Sequence, residues 1–315
     1  MSYDAPEYAA SLQEFGTPRR LNAGQGWVLQ RPLVGGGWDV VGCYPFFRCR
    51  NWDGLVMDLD QLRQAGCVSA TIVTDPLASD AKAAIQQAFT DVARPFKAHF
   101  VVDLTGTHLF GSKHHLRNVR RFEKVGTVEL CSTPLAHLDD WCRFYDKLIQ
   151  RHQITGMARF SPKAFAAQLA LPSAVLFRAL VDGQPVGMQL WFTDSQRADY
   201  HLAGYSDTGY QTGGASHALT LAALEHFRHT GASVALLGSG AGLQHDANDG
   251  LTRYKAGWAT DTRTAWLAGA ILDPVAYAAA AELSKTTQSE YFPAYRTPVT
   301  GSGADIAEEE RVHAH

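Results

Sequence analysis

Three strand-like stretches crowd together near the middle of the chain, at residues 174–181, 185–193 and 198–205. Asp182-Gly183 between the first two is a tight hairpin signal. A glycine-rich turn follows the third, then a helix from about residue 214 to 229 and a strand at 233–237. Strands joined this closely pair antiparallel, and the helix that follows must cover one face of them. Any fold for this chain is therefore α/β, built around a meander.

The surrounding segments extend that reading. Upstream lie a basic helix at 112–124 with Gly126 as its stop, a strand at 127–131, an amphipathic helix at 135–151 and a helix at 161–169 opened by Ser161-Pro162. Residues 238–250 read as a long glycine-rich loop, 262–272 as a last strand and 274–283 as a last helix. Before the basic helix, 58–65 has helical spacing with Gly66 as its stop, and 68–74 is β-branched. Ser79 caps a helix to about Val92, Arg94-Pro95 ends it, and 97–104 is another strand. Gly35-Gly36-Gly37 is a loop or hairpin tip among Trp27, Trp38, Tyr44, Phe46, Phe47 and Trp52, whose strands the sequence does not order. Beyond Thr286 the chain turns polar and reads as a loosely held tail.

With 315 residues, 46% hydrophobic and 19% charged, the chain is long enough for about two folded domains and is not globally disordered. The expected division is 1–110, 111–285 and a tail at 286–315. A net charge of −3 excludes a polycation, so any nucleic-acid contact must use a local basic patch. Five cysteines without a CxxC pair indicate reduced thiols and a cytoplasmic protein. The first ten residues lack an apolar run, and Asp273-Pro274 breaks the longest apolar stretch, so neither a signal peptide nor a membrane span is expected. No HExxH occurs among the thirteen histidines, and His114 and His115 are adjacent, so no metal site is expected.

Three motifs sharpen the α/β reading. Residues 112–124, SKHHLRNVRRFEK, resemble the basic helix of Fem-type aminoacyl transferases. The segment at 200–207, YHLAGYSD, resembles their Y-x-x-G-A-Y-S strand and turn. The segment at 250–258, GLTRYKAGW, resembles their G-L-x-x-F-K-x-G-F/W signature. The resemblance implies the GNAT superfamily and two GNAT-like domains in tandem, each a mixed, partly antiparallel sheet flanked by helices. It also implies an enzyme that joins an amine to an activated acyl group, with no permanently bound cofactor.

Such a site must bind a phosphate-rich donor, stabilise a developing oxyanion and release a proton. Lys255 matches the lysine that the resembled family places beside the reacting carbonyl; without the motif it reads as a surface lysine at a loop end. Arg253 is a phosphate or carboxylate clamp candidate. Gln211, Gly213, Gly214 and Ser216 resemble a GNAT pyrophosphate loop, or are an ordinary glycine-rich helix start. Lys113, Arg117, Arg120, Arg121 and Lys124 make a basic stripe that holds tRNA or substrate phosphates, or is a solvated face. Asn118 beside it is a cap or a brace. Tyr200, His201, Tyr205 and Asp207, on or just after the third strand, are candidates for relaying the amine proton, or the strand His and Tyr side chains are packed in the core; Tyr200 and Trp258 are also candidates beside the substrate. His217 and Glu225 read as structural. No nucleophile elbow occurs, so transfer is direct. The expected donor is aminoacyl-tRNA and the acceptor an amine on a small metabolite or on a cell-wall or secondary-metabolite precursor. An acyl-CoA donor is the alternative, and a non-catalytic module binding tRNA or a partner the third reading.

Overall fold

The computed structural model describes residues 3–78, 81–107, 110–240 and 249–298. In chain order the elements are α1 (Pro6–Ser11), β1 (Thr17–Leu21), β2 (Gly26–Pro32), β3 (Trp38–Gly42), α2 (Leu55–Gln64), β4 (Cys67–Val73), α3 (Ala81–Ala88) and β5 (Val92–Asp103). Then come α4 (Lys113–Phe122), β6 (Gly126–Cys131), α5 (Leu138–His152), α6 (Pro162–Leu169), β7 (Ala174–Val181), β8 (Gln184–Thr193) and β9 (Arg197–Tyr205). The chain continues with α7 (Asp207–Thr212), α8 (Ala215–His229), β10 (Val234–Ser239), α9 (Gly250–Ala256), β11 (Asp261–Ile271) and α10 (Pro274–Leu283). They form two compact units. One is Ala98–Arg263; the other joins Tyr3–Lys97 to the described residues from Thr264 onward.

In the first unit the strand order is β5-β10-β9-β8-β7-β6. Every neighbouring pair is antiparallel except β10 with β9. The β7–β8 hairpin turns through Asp182 (φ 50°) and Gly183 (φ 74°), the left-handed pair that a two-residue turn needs. Helix α8 lies on one face, where Leu219, Ala223 and Phe227 join Trp191, Phe177 and Ala235 in the core. Phe165 of α6 packs edge to face against both Trp141 and Tyr145 of α5. Ser112 caps α4 and Ser161 caps α6, each accepting from an amide three residues on.

In the second unit the order is β1-β2-β3-β4-β11, with β3–β4 as the parallel pair. Each unit is thus a mixed sheet flanked by helices. Gly35, Gly36 and Gly37 all have positive φ and turn β2 into β3. The five cysteines are free thiols. No helix among the described residues is long and apolar enough to cross a membrane.

Four expectations change. Strand β5 begins at Val92 and runs through Arg94-Pro95; Pro95 is exposed and precedes His99–Asp103, the part of β5 that pairs with β10, so its missing N–H costs no bond to that strand. A short helix, α7, occupies part of what reads as a glycine-rich turn. Lys255 lies on helix α9, so only part of the segment around it is irregular. Residues 286–298 are held: Tyr295 Oη is 2.6 Å from Ser69 Oγ, and Arg296 donates to both carboxylate oxygens of the buried Asp39 at 3.1 Å. The expected cap Ser79, most of the loop at 238–250 and the end of the tail lie outside the described residues.

Candidate active site

Strands β9 and β10 pair over three positions only, Arg197–Val234, Ala198–Ala235 and Asp199–Leu236. Beyond Leu236, β10 shifts register around Gly238 (φ 81°) and follows β5, while β9 stays with β8 as far as Tyr205. The two strands therefore splay. Lys255 sits in α9, which is capped by Asp249 accepting from the Thr252 amide at 2.8 Å. Its Nζ donates to the Ser239 carbonyl at 2.6 Å and stands 5.6 Å from the Tyr200 ring centroid. Lys255 is 1% exposed. A lysine is almost never buried so completely without partners. Here a carbonyl at the end of β10 and an aromatic face on β9 hold the ammonium in the splay. A Cβ on Gly238 would come within 3.1 Å of Nζ, so glycine leaves the charge room.

A cavity of about 480 Å³ opens beside the start of α8. Gly213, Gly214, Ser216 and His217 form one wall, His114 and His115 a second, and Arg253 and Tyr254 a third, with Tyr205 and Tyr210 completing it. Gly213 (φ 71°) and Gly214 (φ 86°) are left-handed, and a Cβ on Gly214 would overlap the Asn118 carbonyl of α4. His115 clasps α4 to α9: its Nε2–H donates to the Tyr254 carbonyl at 2.8 Å, which fixes the tautomer, and Nδ1 accepts from Ser112 Oγ at 2.8 Å. Burial lowers the His115 pKa. Burial, helped by His115 and His114, takes His217 down to about 3.

Beneath the cavity lies a buried polar network. Gln189 accepts from Trp191 Nε1 at 3.3 Å and donates to Thr220 Oγ1 at 3.0 Å. Thr220 Oγ1 is 2.7 Å from Tyr254 Oη, which donates to the Ser216 carbonyl at 2.9 Å. Desolvation pushes the Tyr254 phenol up to about 12 and raises Tyr205 well above its usual value. Both stay neutral donors at any physiological pH.

Of the residues singled out in the sequence, Tyr205, Gly213, Gly214, Ser216 and Arg253 meet around the cavity, and Lys255 and Tyr200 meet in the splay. Gln211 lies within α7 and does not line the cavity. Asp207 projects to solvent and pairs with Lys147 of α5. His201 faces the opposite side of the sheet, between Phe192 (4.9 Å) and Phe160 (5.9 Å). Trp258 is buried behind His115, with ring centroids 4.8 Å apart. Lys113, Arg117, Arg120 and Arg121 are exposed on α4, and Arg117 donates to His114 Nδ1 at 3.0 Å. Asn118 is the brace: its Nδ2 lies 3.0 Å from His114 Nε2 and 3.4 Å from His217 Nε2. The sequence reading missed His114, His115, His217 and Gln189, which share no local motif. Among the described residues no group of His, Cys, Asp or Glu side chains forms a metal-ligand set.

His201 carries a pH signature. Burial takes its pKa to about 3, below the ordinary 6.5. The unfolded chain therefore binds the proton that the folded chain refuses, and stability falls as pH drops through that window. His201→Phe is expected to flatten the loss of thermal stability between about pH 6.5 and 4. Unfolding temperatures that track wild type across those pH values would refute it.

Residues 111–256 match the acetyltransferase (GNAT) domain family. By class, then, this stretch is a GNAT domain and the chain an acyltransferase, and its α/β sheet with helices on its faces is the fold of that class. Within the class it is like Fem-type proteins in form. FemX superposes with a TM-score of 0.64 at 13% identity, over 83% of this chain and 90% of that one. A C-terminal domain assigned to a lysylphosphatidylglycerol synthetase of Agrobacterium fabrum gives 0.61 at 16% identity, over 89% and 91%. L-PGS from Bacillus licheniformis gives 0.58 at 15%, over 88% and 95%. At these identities the likeness is one of fold. No curated protein matches the chain.

Proposed function

We propose that this acyltransferase moves an aminoacyl group from tRNA to the amine of a small metabolite or of a cell-wall or secondary-metabolite precursor. The observation that carries the choice of donor is the exposed face of α4. Lys113, Arg117, Arg120 and Arg121 on that face, and Lys124 just beyond the helix, form no ion pair with the described residues. The stripe borders the cavity, since His114 on its edge lines the wall and the Arg121 guanidinium lies 3.3 Å from where a Gly213 Cβ would stand. Exposed cations leading away from an anion-ready helix start suit a polyphosphate chain.

In this reading the donor's carbonyl lies in the β9–β10 splay. A neutral amine attacks it, the oxygen becomes negative beside the Lys255 ammonium, and the C–O bond to the tRNA 3′ oxygen breaks. The amine proton ends on that oxygen, giving amide and free tRNA. A tRNA donor also places the chain in the cytoplasm. The test is to incubate the protein with charged tRNAs and a panel of amines, and to follow amide product and deacylated tRNA. Arg117→Glu with Arg121→Glu is expected to abolish tRNA retention at moderate salt and to lower the salt slope by about two. Unchanged retention would remove the role of α4.

The second reading, an acyl-CoA donor, is favoured by Gly213-Gly214 at the start of α8. A calorimetric titration with acetyl-CoA separates the two: micromolar binding would put coenzyme A first, and no heat would leave tRNA.

A further inference from the structure

Helix α10 is apolar on both sides. Its sequence, PVAYAAAAEL, holds one charged residue, Glu282. The inner side is fixed. Ala280 and Ala281 are buried, and Ala280 clusters with Val68 and Tyr295. Tyr277 stacks on Phe292 with ring centroids 5.9 Å apart, and its Oη accepts from the Ala294 amide at 2.9 Å. The helix therefore cannot roll to bury its other side without breaking these contacts.

The outer side carries Val275, Ala278, Ala279, Glu282 and Leu283, all exposed. Val275 is 82% exposed and Leu283 56%. Val275, Ala279 and Leu283 recur at intervals of four and so form one ridge along the helix. The β2–β3 hairpin tip extends that ridge. A Cβ on Gly35 would come within 2.8 Å of Leu283 Cδ2, and Val34 beside it is 78% exposed. A surface helix ordinarily turns charged and polar residues to water, and a contiguous apolar patch marks an interaction surface.

We propose that two copies of this chain pair through α10, antiparallel, about a two-fold axis at Ala279. Residues equally far before and after Ala279 then stand level. Val275 of one copy meets Leu283 of the partner subunit, and Asp273 stands opposite Lys285 of the partner subunit, at both ends. The small Ala279 in the middle lets the two helices approach closely. Asp273, Glu282 and Lys285 form no ion pair among the described residues. Asp273 caps its own helix through Oδ1, which accepts from the Val275 and Ala276 amides at 3.0 Å. A parallel pairing would set Asp273 against Asp273 and Lys285 against Lys285, so charge fixes the direction. Charge also disfavours a lipid surface. Interfacial helices are rich in Lys and Arg on their polar face, whereas α10 and its ends offer Asp273, Glu282 and one lysine. One ten-residue helix and a hairpin tip cover less than the roughly 1,600 Å² of a standard interface, so the dimer is weak, with a dissociation constant on the order of micromolar. The pairing is independent of the transfer reaction.

The test is sedimentation of the full chain from about 1 to 200 μM, a range that brackets such a constant. The average mass is expected to rise from monomer toward dimer. Val275→Glu with Leu283→Glu should weaken association by about a hundredfold or more, with the unfolding temperature unchanged because both side chains already face water. Cross-linking reads the geometry. Ala279→Cys, on the axis, should join two copies when oxidised with copper–phenanthroline. Val275→Cys alone should not, since the two equivalent positions lie about 12 Å apart along the helices, beyond the reach of a disulfide. Val275→Cys with Leu283→Cys should. The wild-type chain, with its five free thiols, sets the background. A monomer at every concentration would overturn the proposal, as would a dimer untouched by Val275→Glu with Leu283→Glu. Cross-linking by Val275→Cys alone as readily as by Ala279→Cys would overturn the antiparallel pairing. A chain that stays monomeric and floats with mixed phosphatidylcholine and phosphatidylglycerol vesicles, and stops floating on Val275→Glu with Leu283→Glu, would overturn it and give the face to lipid.

Discussion

Lys255→Met is expected to lower amide-forming turnover by roughly 10²–10³-fold while the protein stays folded. Methionine keeps most of the buried volume and removes the charge. The loss concerns the transition state, because the ammonium is already desolvated and fixed between Ser239 and Tyr200 and needs no reorganisation when an oxyanion forms. Stability moves less. The Ser239 carbonyl loses its partner, costing about 1–3 kcal/mol, but a buried charge is also removed, and the two partly cancel. Lys255→Arg should not restore activity, since the splay has room beside Gly238 for an ammonium and not for a guanidinium fork. Product formation followed by mass spectrometry, with a thermal scan of each variant, decides the matter. A fall in turnover of less than about tenfold would reduce Lys255 to a packing residue.

Gly214→Ala is expected to be the most damaging small substitution near the cavity. Its φ of 86° costs about 1–3 kcal/mol for any other residue. The added Cβ would overlap the Asn118 carbonyl of α4, which is backbone and cannot swing aside as a side chain can. Pushing α8 away from α4 adds roughly 1–3 kcal/mol more. At about 2–4 °C per kcal/mol for a chain of this size, the unfolding temperature should drop on the order of 10 °C. Gly213→Ala is the control, because its Cβ would meet the movable guanidinium of Arg121 at 3.3 Å. Gly36→Ala is a second, with positive φ and nothing within 4 Å. If Gly214→Ala melts no lower than Gly36→Ala, the contact with α4 is not tight.

The meander was legible because its residues agree locally and globally. Asp182-Gly183 takes the one turn that suits it, and Ser161 caps the helix that Ser161-Pro162 opens. Helix α7 was not legible. Its run of Asp, Thr, Gly and Tyr has poor helix propensity. It forms because Ser206 caps it and α5 holds it, through the Lys147–Asp207 pair and Arg151 stacked 4.3 Å over Tyr210. Lys255 stood out by its motif, but its burial could not be read, since the partner that makes it tolerable lies sixteen residues earlier in the chain. The histidines of the cavity were hidden for a similar reason. His114 and His217 meet across Asn118 only after α4 and α8 have packed.

The second unit takes its strands from both ends of the chain. Strand β11 completes a sheet whose other members, β1 to β4, precede it by nearly two hundred residues. During synthesis those four strands emerge first and wait. The first unit, whose described residues run from Ala98 to Arg263, ends just inside β11, so nearly all of its core residues are made before the rest of that strand. Chain order alone thus lets the part with the cavity and the buried lysine assemble before the other unit has its last strand.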